Sequence, residues 1–304
     1  MKYIYILILA FSVINIYSQA NIINAKSPSE IGDSSVSSRA IDEFVDYDIL
    51  DDKDILWSKI VYEFIDLNER LNFPLLFPVK DTKYDDTRKS LWRVIRENVE
   101  NGKISEVFDS NNDNFTEASR IKGLDSVNKN GDVFKNYNIS DKYGSKFVKG
   151  DTKPKTYASS EDIFGYAIKG IWYFDKLHSE LRYRLLAIQP YGKNLKESGD
   201  GESLETGYFW IWYPEIREVL DEHLVFNDKN NNNRVSFDEL LINRRFSSYI
   251  YKYDNVYGDR DIRSYIKRRV DQGESVAQWK TRIILESERI KKEILDFEND
   301  MWGY

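Results

Sequence analysis

IFGYAIKGIWYFDKLHSELRYRLLAIQP, residues 163–190, is the stretch whose reading decides the fold. Its first half, to Phe174, is dense in β-branched and aromatic residues. From Leu181 onward Leu181, Tyr183 and Leu185 alternate with Arg182 and Arg184, the pattern of a half-buried antiparallel strand. The link DKLHSE is short and polar, so the two runs form a hairpin.

Outward from that hairpin, GYFWIWYP (207–214) is a third strand, apolar throughout, central in the sheet and ended by Pro214. EIREVLDEHL and SFDELLINRR read as helices, and FSSYIYKYDNV (246–256) as a fourth strand. A long helix closes the chain from Glu274 to Trp302. Val276, Trp279, Ile283, Ile290, Ile294, Phe297 and Met301 form its apolar stripe, with Glu286 on the same line, where packing should thin. On the N-terminal side, Ile55, Leu56, Ile60, Phe64, Leu67 and Leu71 repeat at helical spacing after a possible N-cap at Asp54, with Pro74 and Pro78 as stops. RKSLWRVIRENVENG is a second helix, with Leu91, Trp92, Ile95 and Val99 inward and Gly102 past its end. The sum is an α+β fold: an antiparallel sheet of about four strands with N-terminal helices and a long C-terminal helix.

Lys2, an apolar run to about Ile16 and Ser18-Gln19-Ala20 have the form of a signal peptide, residues 1–20, ahead of an exported chain. Residues 21–50 are Ser-rich and too weakly apolar to offset the entropy of ordering, so a flexible arm is expected. Residues 51–304 then form a single domain, interrupted at 109–160 by a polar, partly mobile insertion whose apolar anchors are Phe134, Tyr137 and Phe147. With 41% hydrophobic and 14% aromatic residues the chain can bury a core. It has no cysteine, which excludes disulfides, thiolate metal sites, a cysteine nucleophile and a lipidated N-terminal cysteine. The net charge of −7 opposes nonspecific nucleic-acid binding. Membrane contact is therefore expected only through partners.

DKNNNNRVSFDE (228–239) spells much of an EF-hand calcium loop: Asp228, Asn230, Asn232, Ser236 and Glu239 at ligand positions, Asn233 at the turn and Val235 at position 8. Only Asp228 and Glu239 carry charge, which weakens any calcium site. A metal-free reading makes Asn230–Asn233 turn formers and Ser236 with Glu239 a helix capping box. The only histidines, His178 and His223, are far apart in sequence. Asp51-Asp52 and Asp85-Asp86 read as solvated faces. No GxSxG, HExxH, P-loop or dinucleotide fingerprint is present, so no catalytic, cofactor or metal residue is assigned. Tyr249, Tyr251 and Tyr253 share one face of their strand, either as a partner surface or as rings buried beneath the C-terminal helix. Arg244 and Arg245 beside them pair with carboxylates within the fold or across an interface.

ILWSKIVYEFIDLNERLNFPLLFP, IWYFDKLHSELRYRLLAIQP, FWIWYPEIREVL, SFDELLINRRFSSYIYKYDNVYGDRDI and ESERIKKEILDFENDMW, in this order over most of 54–304, resemble the GldN family, also called PorN. The resemblance implies a non-enzymatic periplasmic subunit of the type IX secretion and gliding machinery of Bacteroidota. It also implies association with an outer-membrane lipoprotein (GldK or PorK) and self-association in a ring, contact with the periplasmic part of a motor protein (GldM or PorM), and no catalytic residues. The competing expectations are a secreted calcium-dependent adhesion module using 228–239 and an exported hydrolase. The outer side of the terminal helix is a further candidate interface.

Overall fold

The computed structural model describes residues 47–80, 89–121, 142–144, 157–196, 205–225, 235–255 and 258–302. Strands β3 (Ile163–Asp175) and β4 (Glu180–Lys193) make the expected hairpin, paired antiparallel from Ile163 opposite Gly192 to Asp175 opposite Glu180 with register shifts after Ile163 and after Lys169. Its turn is held by Asp175, whose Oδ1 accepts from the Leu177 amide at 2.9 Å, and by Ser179, which turns left-handed at φ 54. Gly170 is required by packing: a Cβ there would meet the Tyr183 hydroxyl at 2.0 Å. The expected third strand is β6 (Phe209–Trp212), buried throughout and flanked on both sides.

The segment after Asp54 overturns the helical expectation: Ile55–Asp66 is a strand, β1. It pairs antiparallel with β3 along nearly its whole length, and with β7 (Tyr249–Tyr253) on its other side. The helical spacing of its apolar residues arose because the strand is covered on both faces. Val61, Tyr62 and Glu63 are consecutive and all buried, so no alternation survives to mark the period. Two three-residue strands, β2 (Val107–Asp109) and β5 (Glu205–Gly207), complete seven strands in the order β2-β6-β4-β3-β1-β7, with β5 added on β4. The class is as expected; the sheet is larger than the four strands read from sequence.

The long helices cover one face. The helix read from RKSLWRVIRENVENG is α2 (Leu91–Glu100), after a single turn α1 (Phe73–Leu76). Its N-cap Ser90 accepts from the Arg93 amide, and Leu91, Trp92, Val94, Ile95 and Val99 are buried. With α3 (Tyr213–Asp221) and α4 (Phe237–Ile242) it packs on Ile65, Tyr166, Ile168, Leu185, Ile188 and Ile211 in the main core. The one-turn helix α5 (Ile262–Tyr265) and the long α6 (Val276–Trp302) close a second core with Val61 and Ile250. In α6 the buried line runs Ile283, Ser287, Ile290, Ile294. Ser287 accepts from the Ile250 amide at 2.7 Å and fills the place where Glu286 was expected to thin the packing. Val276, at the end of the expected stripe, is exposed.

The opposite face carries Tyr62, Ala167, Ile171, Tyr173, Leu186, Trp210, Trp212 and, from β2, Phe108, and among the described residues Leu50 and Phe115, both outside helices, pack on it. The arm was expected to run to residue 50, yet its last residues already lie on the domain. Tyr47 sits between the guanidinium groups of Arg184 and Arg217, at 4.5 and 4.2 Å from its ring centre, and donates to the Leu185 carbonyl. The expected signal peptide, the arm to residue 46, Phe134, Tyr137 and Phe147 lie outside the described residues.

Candidate interaction surfaces

Lys169 stands in the middle of β3 and is buried. A charge in so apolar a strand needs a partner, and the loop after β2 supplies one: Lys169 Nζ donates to the Asp113 carbonyl at 2.9 Å. The rings of Tyr62 and Phe115 lie 5.2 and 5.0 Å from the same ammonium. From β7, Lys252 bonds the Asp113 carboxylate, and from β4, Gln189 Nε2 donates to the Ser110 carbonyl at 3.2 Å. Phe115, at φ 50, is pressed edge-on against Phe108 and Trp212. Three strands thus clamp this loop on the helix-free face. Burial pushes the Lys169 ammonium below its ordinary pKa, against the pull of Asp113. Its amine is already engaged, so it holds the loop and is not placed as a base. This clamp was missed in the sequence, where Lys169 inside IFGYAIKGIWYF was the available signal.

The tyrosine face is not the stripe expected. Tyr62 pairs with Lys252 and Glu63 with Ile250, leaving Tyr251 as the extra residue of a bulge. Tyr249 and Tyr251 therefore face Phe64 and Tyr62, with ring centres 5.7 and 6.2 Å apart. Tyr253 is turned to the helical face, where Lys59 lies 5.0 Å over its ring. Burial pushes the Tyr249 hydroxyl up to about 12 and that of Tyr251 higher still. Tyr251 is thus a half-buried ring packed on the core of the face away from α6, not one beneath it.

Arg244 resolves its two expectations inward. At φ 50 it aims at the buried Glu63, giving an Nη2–Oε2 distance of 2.7 Å, and stacks over Tyr183 at 4.1 Å. Ser248 donates to the same carboxylate oxygen. Arg245 instead pairs on the surface with Glu239 at 3.3 Å.

Of the calcium-like loop, Asp228, Asn230, Asn232, Asn233 and Arg234 lie outside the described residues. Ser236 is the N-cap of α4, its hydroxyl accepting from the Glu239 amide at 3.1 Å, which is the serine half of the expected capping box; the Glu239 carboxylate pairs with Arg245. The described ends of the loop are zipped by Val225 N to Val235 O at 2.8 Å. The histidines have local duties: His178 Nδ1 is 2.7 Å from Asp175 Oδ2 in the hairpin turn, and His223 Nδ1 is 2.8 Å from the Val219 carbonyl. Asp51 pairs with Lys53 at the surface, while Asp85 and Asp86 are outside the described residues. Among the described residues no group of three or more His, Asp or Glu is arranged to hold a metal, and no helix is long and apolar enough to cross a membrane.

Exposed apolar side chains are scattered over the described surface, Leu56, Leu71, Leu177 and Val270 among them, and on the outer side of α6 Ile284, Leu285 and Leu295 are open to solvent. No curated protein gives a significant match to this chain. The family described as Gliding motility associated protein GldN matches residues 50–303, which takes in every element from β1 to α6. With its long sheet, its clamped loop and its terminal helix all inside the matched span, this chain belongs to the GldN family.

Proposed function

We propose that this protein is a non-enzymatic, periplasmic structural subunit of the type IX secretion and gliding machinery, held at the outer membrane by a lipoprotein partner of the GldK or PorK type and assembled with it in a ring. The periplasmic part of a GldM- or PorM-type motor protein is its second partner. The observation that carries the reading is the family match over residues 50–303. Two features of the chain support it. The signal-like start at residues 1–20 directs export, and the charged and polar groups buried in the sheet, Lys169, Glu63 and Arg244 among them, are engaged in holding the fold.

The test is purification of the tagged full chain from detergent-solubilised envelope. Co-purification with an outer-membrane lipoprotein in a large assembly is expected. A free monomer with no lipoprotein beside it would overturn the proposal.

A further inference from the structure

The terminal helix carries two stripes, and the fold uses one. The inner line, Ile283, Ser287, Ile290 and Ile294, is consumed by β7 and the sheet. On the opposite side Thr281, Leu285, Glu288, Lys292, Leu295 and Asn299 succeed one another at steps of four and three, the spacing of a coiled-coil seam. All six are exposed, Leu285 by 64% and Leu295 by 50%.

We propose that this outer seam of α6 pairs antiparallel, about a two-fold axis, with the same seam of a second copy of the chain. The reason for choosing a copy over another protein is that the seam is complementary to itself. Reversed about Ile290, Leu285 meets Leu295 of the second copy, Glu288 meets its Lys292 and Thr281 meets its Asn299, and symmetry repeats each contact. Every seam position falls on a seam position, so one axis joins leucine to leucine and acid to base. Beside the seam, Arg282, which also bonds Glu274 of its own chain at 3.0 Å, comes to Asp296 of the second copy. Arg289 and Lys291 approach their own copies near the axis. Each already holds a carboxylate, Arg289 those of Glu286 and Glu293, Lys291 that of Glu288, so their charges are partly neutralised.

The charge along the helix points the same way. The first turn of α6 has no acid and the last no base, so neither end carries the charge that the helix dipole favours. Lys280 and Arg282 lie toward its start, and Glu293, Asp296, Glu298 and Asp300 toward its end. An antiparallel neighbour sets each basic end against an acidic one. Nothing in this pairing depends on the secretion reading, because it needs only the purified chain.

Sedimentation of the full chain over a range of micromolar concentrations tests it. A concentration-dependent dimer is expected. Glu288→Lys and Lys292→Glu each place like charges in both central layers and should weaken it about tenfold or more, while the double exchange restores it. These sites are exposed, so unchanged thermal melting keeps folding out of the comparison. A chain that stays monomeric throughout, as it would if the seam served a different protein, overturns the proposal. So does a dimer indifferent to the single exchanges or not restored by the double one. Orientation is read in the cysteine-free background: under oxidation Leu285→Cys mixed with Leu295→Cys should cross-link, and neither variant alone. Self-cross-linking of either would refute the antiparallel arrangement.

Discussion

Trp57 in β1 and Phe297 in α6 stack nearly face to face, with ring centres 4.6 Å apart and planes 20° from parallel. The contact joins the first strand of the sheet to the last helix, and Phe174 of β3 touches the same ring edge-on at 6.5 Å. Phe297→Ala should lower stability by about 2 kcal/mol, less than for a fully buried ring. Amide exchange should quicken over residues 290–302 and stay unchanged in the β3–β4 hairpin.

Glu63 is a buried carboxylate in the sheet whose Oε2 takes both the Arg244 guanidinium and the Ser248 hydroxyl, while Oε1 is buried with no hydrogen-bond partner among the described residues. Glu63→Ala leaves the Arg244 guanidinium under Tyr183 without its counter-charge and should cost about 3 kcal/mol in urea unfolding. Glu63→Gln keeps the shape and an acceptor and should cost roughly half as much.

Acid should release the loop over the helix-free face. Burial pushes the Asp113 carboxyl up, but the hydrogen bond from Lys252 and the charges of Lys252 and Lys169 outweigh it and hold the group below its ordinary pKa. A carboxyl lowered in the folded state contributes stability that is full above the unfolded pKa of about 4 and lost as pH falls from there toward the folded value. Fluorescence of Trp210 and Trp212, which lie against Phe115, should report loosening as the pH is lowered from about 4. In Asp113→Asn that step should shrink. It should not vanish, because Asp109, bonded by Lys142, is lowered too.

Tyr251 discriminates a docking surface from a core. Its position against Tyr62 predicts that Tyr251→Asp loosens β7 and lowers stability by about 2–3 kcal/mol, since it places a charge among buried rings. Loss of partner binding with an unchanged melting temperature would instead make the ring a contact residue.

Ser236→Ala should cost about 1 kcal/mol through loss of the α4 cap. Melting curves should show the same loss with calcium present and absent. A loss seen only with calcium would revive the metal reading of 228–239.

How much of this was legible depended on whether one face or two were covered. The β4 alternation of arginines with Tyr183 and Leu185 and the stripe of α6 were readable, because one side of each meets solvent or polar groups. β1 was misread because Trp57, Ile60, Val61, Tyr62, Phe64 and Ile65 serve two faces at once. Its β-branched and aromatic content was the better guide than its spacing. β2 and β5, of three residues each, leave no periodic trace. The tyrosine face failed at one residue: a bulge at Tyr251 shifts every later side chain to the other face, and no local composition announces it. The clamp on the loop was hidden for a related reason. Asp113 lies in a polar stretch that reads as solvated, and only the sheet brings Lys169 and Lys252 to it.

The place of β1 has a temporal meaning as well. It is the earliest strand among the described residues, yet it lies between β3 and β7, both made much later. During synthesis its two edges stay unmatched until Ile163–Asp175 and then Tyr249–Tyr253 emerge. Such distant pairings form slowly. Through that interval β1 waits with both edges open, and the sheet closes only when its last partner has been made.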